Sequence, residues 1–281
     1  MANSTDVGLA LGGGGVRGLA HISYLEVLDE CGIRPAVVAG TSMGAIIGAL
    51  YASGKTGKEI RGIIENHMIT GEDGLKEIFE KRGSLFKWLK AVRLSWKGTG
   101  LLRADGLVHD LIDEIKAKTF EELKIPLHVV ATNFYTGEMV VFKEGELLRA
   151  INASMSIPGV FVPVEFADMI LVDGGMVNNL PYNLLKDQCD LSIAVDVTPE
   201  RIRDDADPPS MLDATLGMFD ILIGRITAQM MEDDPPDIYA NPGLTGIRML
   251  EFDQAEEVLE IADAAKADFT EQIKAIRKFD K

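Results

Sequence analysis

Apolar residues recur along this chain with two periods, and the first fifty positions show both. Val7 to Leu11 is a short apolar run that ends in four glycines, the pattern of a buried strand. Leu19, Ile22, Leu25 and Leu28 then fall at helical spacing, predicting a helix over 19–30 that Gly32 and Pro35 stop. Ala36 to Ala39 is a second strand-like run, followed by a turn and a helix to about Ser53. This β-α-β-α opening predicts a mostly parallel sheet with helices on its faces.

The stretch from Pro35 to Gly54 carries no charged residue and is about as long as a membrane span. It divides, however, into a β-branched run, a Gly/Thr/Ser turn and an Ala/Ile-rich helix, which is the pattern of a buried strand-turn-helix. Residues 56–120 change character: helical stretches are interrupted by glycines, as in a cap-like insertion. Strand patterns return at Leu127–Asn133, Met139–Lys143, Val160–Glu165, Met169–Val172 and Leu191–Val197, with a helix near 147–154. Residues 199–210 read as an acidic, Pro-containing loop. Helices at about 211–231 and 254–278, flanking a strand near Gly246–Phe252, form a C-terminal extension. No internal repeat is present, and nothing calls for a second domain, so 1–281 is expected to be one α/β unit.

Composition narrows the function classes. The 281 residues are 47% hydrophobic, ordinary for a globular core. The residues MANSTDVG lack a basic region followed by an apolar one, so no signal peptide is expected. Two cysteines, Cys31 and Cys189, make no disulfide framework, which suits a reducing cytoplasm. A net charge of −16 opposes general nucleic-acid binding. The charge is uneven: Lys81, Arg82, Lys87, Lys90, Arg93, Lys97 and Arg103 form a basic island with no acidic residue between them.

Gly40-Thr41-Ser42-Met43-Gly44 matches G-x-S-x-G between a predicted strand and a predicted helix. That setting is what a nucleophilic serine needs: a sharp turn with small neighbours, and helix amides aimed at its oxygen. The base is less obvious. The four histidines are His21, His67, His109 and His128, so none lies late in the chain, where a conventional Ser-Asp-His order would place it. His21, on the first helix near the glycine loop, stays open as a base, but a structural hydrogen-bonding role is the favoured reading. Asp173 ends the apolar strand 169–172 and opens into Gly174-Gly175, where open α/β sheets place their ligands. By position alone it serves a turn cap equally well.

Gly12-Gly13-Gly14-Gly15-Val16-Arg17-Gly18 contains G-x-G-x-x-G after a strand. A dinucleotide site would need an acidic residue at the end of the second strand, and the serine turn stands there instead. A P-loop is excluded at Gly54-Lys55-Thr56, because Ala49 occupies the first glycine position. An oxyanion hole uses the same physics, with side-chain-free N–H groups of Gly13, Gly14 and Gly15 facing the developing charge. Arg17 could order that loop or hold an anionic group such as phosphate.

Together these elements resemble the patatin-like phospholipase family, whose pattern combines G-G-G-x-[RK]-G, G-x-S-x-G and a later D-G-[GA]. Here they read Gly13–Gly18, Gly40–Gly44 and Asp173-Gly174-Gly175, in that order. Ala153-Ser154-Met155-Ser156-Ile157-Pro158-Gly159 and Asn178-Asn179-Leu180-Pro181 look similar as well, and the resemblance covers about 7–200. It implies a three-layer α/β/α fold and a Ser42–Asp173 dyad with no metal or cofactor. The oxyanion hole would be made by the glycine loop, supported by Arg17 and Gly18. Lipid or simpler acyl esters would be the substrates. A catalytically silent scaffold of this kind and a nucleotide-binding protein are the alternatives.

Within the basic island, Leu85, Leu89, Val92 and Trp96 share one helical face, with Trp88 beside it and the cations adjoining. This suits peripheral membrane contact through 81–103, by a lid or docking helix. A core-packing helix with a solvated basic face has the same pattern. Oligomeric state leaves no trace in the sequence.

Overall fold

A computed structural model describes residues 5–68, 114–200 and 211–279. The strands are β1 (Val7–Leu11), β2 (Val37–Thr41), β3 (Leu127–Asn133), β4 (Met139–Phe142), β5 (Val164–Phe166), β6 (Met169–Asp173), β7 (Leu191–Val195) and β8 (Ile238–Ala240). They form one sheet in the order β5-β6-β3-β2-β1-β7-β8, with β4 joined to β3. Pairing is parallel from β3 through β2, β1 and β7 to β8, and antiparallel where β4, β5 and β6 enter. The protein is a mixed α/β fold around a mostly parallel sheet.

The helices are α1 (His21–Glu30), α2 (Met43–Ala52), α3 (Gly57–Met68), α4 (Leu147–Ser154), α5 (Met211–Asp233), α6 (Ala255–Ala265) and α7 (Ala267–Phe279). Strand alternation sorts the core into two layers. Leu9, Leu11, Val38, Ile193 and Val195 face the larger cluster, which includes α1, α2, α4, α6 and α7. Ala10, Val37, Ala39 and Ala194 face the other way, under Leu180, Tyr182, Leu185 and the end of α5 at Met230 and Met231. Small residues on that second face let the covering segments lie close to the sheet. The uncharged stretch from Pro35 to Gly54 is β2, a turn and α2; every residue of α2 is buried. Among the described residues no helix is long and apolar enough to cross a membrane.

Several sequence expectations shift. The first helix is preceded by a 3-10 segment, Gly15–Ala20, so α1 begins at His21. The strand expected over 160–165 is confined to Val164–Phe166. The expected helix over 254–278 is divided at Lys266 into α6 and α7. No strand forms over Gly246–Phe252; the C-terminal strand is Ile238–Ala240 instead. Ile247, Met249 and Phe252 are buried, which produced the apolar pattern, but Gly243 and Gly246 adopt positive φ and break the extended backbone. The Met249 carbonyl accepts the Val16 N–H at 3.0 Å, so this segment lies over the glycine loop rather than in the sheet. The basic face expected over 81–103 and most of the acidic loop at 199–210 lie outside the described residues.

Candidate active site

Sheet register brings two chain segments end to end. Thr41 of β2 pairs with Val130 of β3, and Asp173 of β6 pairs with the next β3 residue, Ala131. Because β4 already covers Val129 to Thr132, β2 and β6 share the opposite edge of β3 and run towards each other. Ser42 and Asp173 therefore meet where the two strands end. The Ser42 hydroxyl lies close enough to the Asp173 carboxylate to lower its pKa, and the two residues are buried and line one crevice.

Ser42 stands between β2 and α2 with φ 54 and ψ −122, a backbone conformation a non-glycine residue holds only under constraint. Its N–H donates to Ser154 Oγ of α4 at 2.8 Å. Thr41 Oγ1 donates to the Asn178 carbonyl at 2.9 Å. Gly44 has no room for a side chain, since a Cβ there would stand 2.1 Å from the Leu11 carbonyl oxygen, and a Cβ at Gly40 would meet the Gly44 carbonyl oxygen at 2.5 Å. Met43 opens α2 and packs on Gly18 of the neighbouring loop. The G-x-S-x-G spacing thus places β1, β2 and α2 in direct backbone contact, with Ser42 at their junction.

Asp173 is held by its turn. Its Oδ1 accepts the Gly175 N–H at 2.7 Å, its N–H donates to the Ser156 carbonyl at 3.0 Å, and its carbonyl accepts from Thr132 Oγ1 at 2.8 Å. Gly174 passes close to the Val130 carbonyl. Burial pushes the carboxyl up to about 6, against the lowering effect of the hydrogen bonds from Gly175 and Ser42.

The glycine loop lies beside this pair. Gly12 N–H donates to the Val195 carbonyl at 3.0 Å and Gly13 N–H to the Asn179 carbonyl at 3.2 Å. Gly13 is therefore engaged in the framework; of the three amides expected to face an oxyanion, Gly14 and Gly15 have no protein acceptor among the described residues. Gly15 has φ +60, and a Cβ on it would stand 2.1 Å from the Met249 carbonyl oxygen. Arg17 is not available to a phosphate. Its Nε donates to the Gly14 carbonyl at 3.2 Å, and its two terminal nitrogens reach the Asp220 carboxylate of α5 at 2.6 and 3.2 Å.

Two small crevices open at Ser42. One is lined by Gly13, Gly14, Asp173, Phe219, Ile223 and Met249, the other by Met43, Met155, Phe161, Leu250 and Phe252, with Ile157 shared. Each has about 10 Å³ of free volume, room for roughly one water molecule. Apart from Ser42 and Asp173, their side chains are almost all apolar.

His21 does not act on Ser42. Its Nε2 hydrogen-bonds the Gly12 carbonyl at 2.7 Å, its Nδ1 is buried with no hydrogen-bond partner among the described residues, and burial lowers its pKa to about 4. His128 lies on β3, also with its pKa lowered to about 4, first by burial. His109 and the side chain of His67 lie outside the described residues. Sequence reasoning quoted Ser154 and Asn179 without a role for either, and it missed Asp220. The available signal for Asp220 was one acidic residue on the inward face of α5, between Leu216, Phe219 and Ile223.

Comparison with known proteins agrees with this architecture. A family model described as patatin-like phospholipase matches residues 9–186. An uncharacterised NTE family protein of Mycobacterium tuberculosis is 33% identical over 239 residues, covering 80% of this chain and 60% of that protein. A lysophospholipase of Kluyveromyces lactis is 26% identical over 95% of this chain and 19% of its own length. The chain thus spans less than two thirds of either relative. Human GIVD cytosolic phospholipase A2 shares the fold, with a TM-score of 0.54 at 10% identity, covering 99% of this chain and 60% of that one. With more than half its length matched by the family model, this chain belongs to the patatin-like phospholipase family.

Proposed function

We propose that this chain is a serine hydrolase of lipid-type acyl esters, with Ser42 as nucleophile and Asp173 as its base. The observation that carries the reading is that the ends of β2 and β6 bring Ser42 and Asp173 to one crevice, beside the amides of Gly14 and Gly15, which have no protein acceptor among the described residues. Names of relatives support the substrate class: one is a lysophospholipase, and a structure of the same fold is a phospholipase A2. The apolar crevices suit an acyl chain.

Asp173 accepts the Ser42 proton as Oγ attacks the ester carbonyl, and the N–H groups of Gly14 and Gly15 hold the resulting oxyanion. The tetrahedral intermediate collapses, the carbon–oxygen bond to the alcohol breaks, and the alcohol leaves with the proton from Asp173. Water then attacks the acyl-serine, giving its proton to Asp173, and Ser42 recovers that proton as the fatty acid departs. An ordinary carboxylate is a poor base for a hydroxyl; raising it to about 6 by burial strengthens it in this role. Since each crevice holds about one water, a lipid enters only when their walls, including Phe219, Ile223 and the 249–252 segment, move apart. We read residues 56–120 as a cap-like insertion in one hydrolase unit, with α3 as its described beginning.

A dinucleotide has no comparable support. The Met249 carbonyl roofs the glycine loop, and the position a ribose-binding carboxylate would need is taken by the Ser42 turn. The direct test is fatty-acid release by purified protein from a lysophospholipid, a diacyl phospholipid and a p-nitrophenyl ester. Release that disappears in Ser42→Ala is expected; equal release by Ser42→Ala would reject the assignment.

A further inference from the structure

The family model ends at residue 186, yet the glycine loop is held by a residue far beyond it. Arg17 stands two residues after Gly15 and is 2% exposed at its side chain. One edge of its guanidinium grips the Asp220 carboxylate through two nitrogens, and its Nε donates to the carbonyl of Gly14. We propose that Asp220 is a positioning residue for catalysis: through Arg17 it fixes the peptide units that present the Gly14 and Gly15 amides to the oxyanion. The inference rests on the oxyanion role proposed above for those two amides.

The physical reasoning is local. Gly13 to Gly15 carry no side chains, so only partners of their own N–H and C=O groups can set their orientation. The Gly13 amide is fixed by Asn179 and the Val16 amide by Met249, while the Gly14 carbonyl, at the start of the 3-10 segment, takes Arg17 Nε as its side-chain donor. A buried guanidinium adopts one orientation only when a carboxylate matches its planar fork. Asp220 supplies that match. Asp196, at the end of β7, also attracts Arg17 electrostatically, but its oxygens are committed to the Thr198 N–H at 2.9 Å and the Tyr239 hydroxyl at 3.0 Å. It cannot replace the fork.

The same helix turn places Phe219 and Ile223 against the crevice beside Ser42. One segment of the C-terminal third therefore both walls the site and orders its loop, which joins the position of α5 to the competence of the oxyanion site.

The test compares wild type, Asp220→Asn and Asp220→Glu on a soluble p-nitrophenyl ester, each assayed below its own melting transition. Asp220→Asn keeps the shape of the carboxylate and removes its charge. It is expected to lower kcat by tenfold or more with KM within about twofold, and Asp220→Glu should recover part of kcat. If Asp220→Asn does not fold, the double variant Arg17→Met/Asp220→Leu removes both charges together. It is expected to fold and remain slow, because the Gly14 carbonyl has lost its side-chain donor. A folded Asp220→Asn or double variant with wild-type kcat, or a loss confined to KM, overturns the proposal. A wild-type protein inert towards every ester would overturn the functional reading itself, and this inference with it.

Discussion

Asn179 holds Gly13 at both polar atoms of its backbone: its Nδ2 donates to the Gly13 carbonyl at 3.0 Å, and its own carbonyl accepts the Gly13 N–H at 3.2 Å. Asn179 follows the Asp173 turn, and a Cβ added at Gly175 would stand 2.9 Å from its Oδ1. One buried amide side chain therefore ties the aspartate turn to the glycine loop. Replacing it with alanine leaves the Gly13 carbonyl without its side-chain donor in a buried site. Asn179→Ala is expected to cost about 1–3 kcal/mol in urea unfolding and to slow ester hydrolysis about tenfold. Unchanged values in both measurements would mean that the loop is held in some other way.

Gly15 makes a sharper case, because its backbone and its surroundings both exclude a side chain. With φ +60 and the Met249 carbonyl oxygen 2.1 Å from a Cβ, alanine must displace the 247–252 segment. Gly15→Ala is expected to lose more than about 2 kcal/mol of stability and most of its activity. Gly62 provides the control: a Cβ there meets nothing within 4 Å, so Gly62→Ala should leave the thermal melt within about a degree or raise it.

Asp173 couples activity to stability through pH. Its carboxyl is raised from 3.8 to about 6, so the folded chain binds this proton more tightly than the unfolded one does. Between those values the unfolded state carries fewer protons, and stability contributed by this group falls as pH rises through the window. Above pH 6 the full penalty of a buried carboxylate remains, of the order of 2–3 kcal/mol. Asp173→Asn, which keeps an acceptor for the Gly175 N–H, should therefore melt higher than wild type at pH 7.5. That advantage should shrink as the pH falls towards 4. The rate has the opposite requirement, since a base must be ionised: kcat/KM in wild type should fall about tenfold per pH unit below about 6. A flat rate profile from pH 4 to 8 would contradict Asp173 as the base.

The parts of this site that repeat a local pattern were legible in the sequence. An apolar run, four glycines and a helical period placed β1 and the loop; G-x-S-x-G between a strand and a helix placed Ser42. Asp173 could be named from its strand end but distinguished from a turn cap only by family resemblance. Its meeting with Ser42 depends on β2 and β6 sharing one edge of β3, a register that neither segment encodes alone. Gly13 looked equivalent to Gly14 and Gly15 because nothing local reveals that Asn179 takes its amide. The apolar alternation at Ile247 and Met249 has the pattern of a strand, but it records burial over the loop, with Gly243 and Gly246 breaking the extension. Asp220 stands out only as an acidic residue on the apolar face of α5, and its pairing with Arg17, 203 residues away, follows from no local pattern.

The central claim is that Ser42 is a nucleophile activated by Asp173, and covalent capture by a fluorophosphonate probe tests it most directly. Intact mass and peptide mapping should show one adduct, on Ser42, formed more slowly as pH falls below about 6. The adduct should be absent in Ser42→Ala and formed at least a hundredfold more slowly in Asp173→Asn. A folded wild-type protein that takes no label, or one labelled at a residue other than Ser42, would contradict the account.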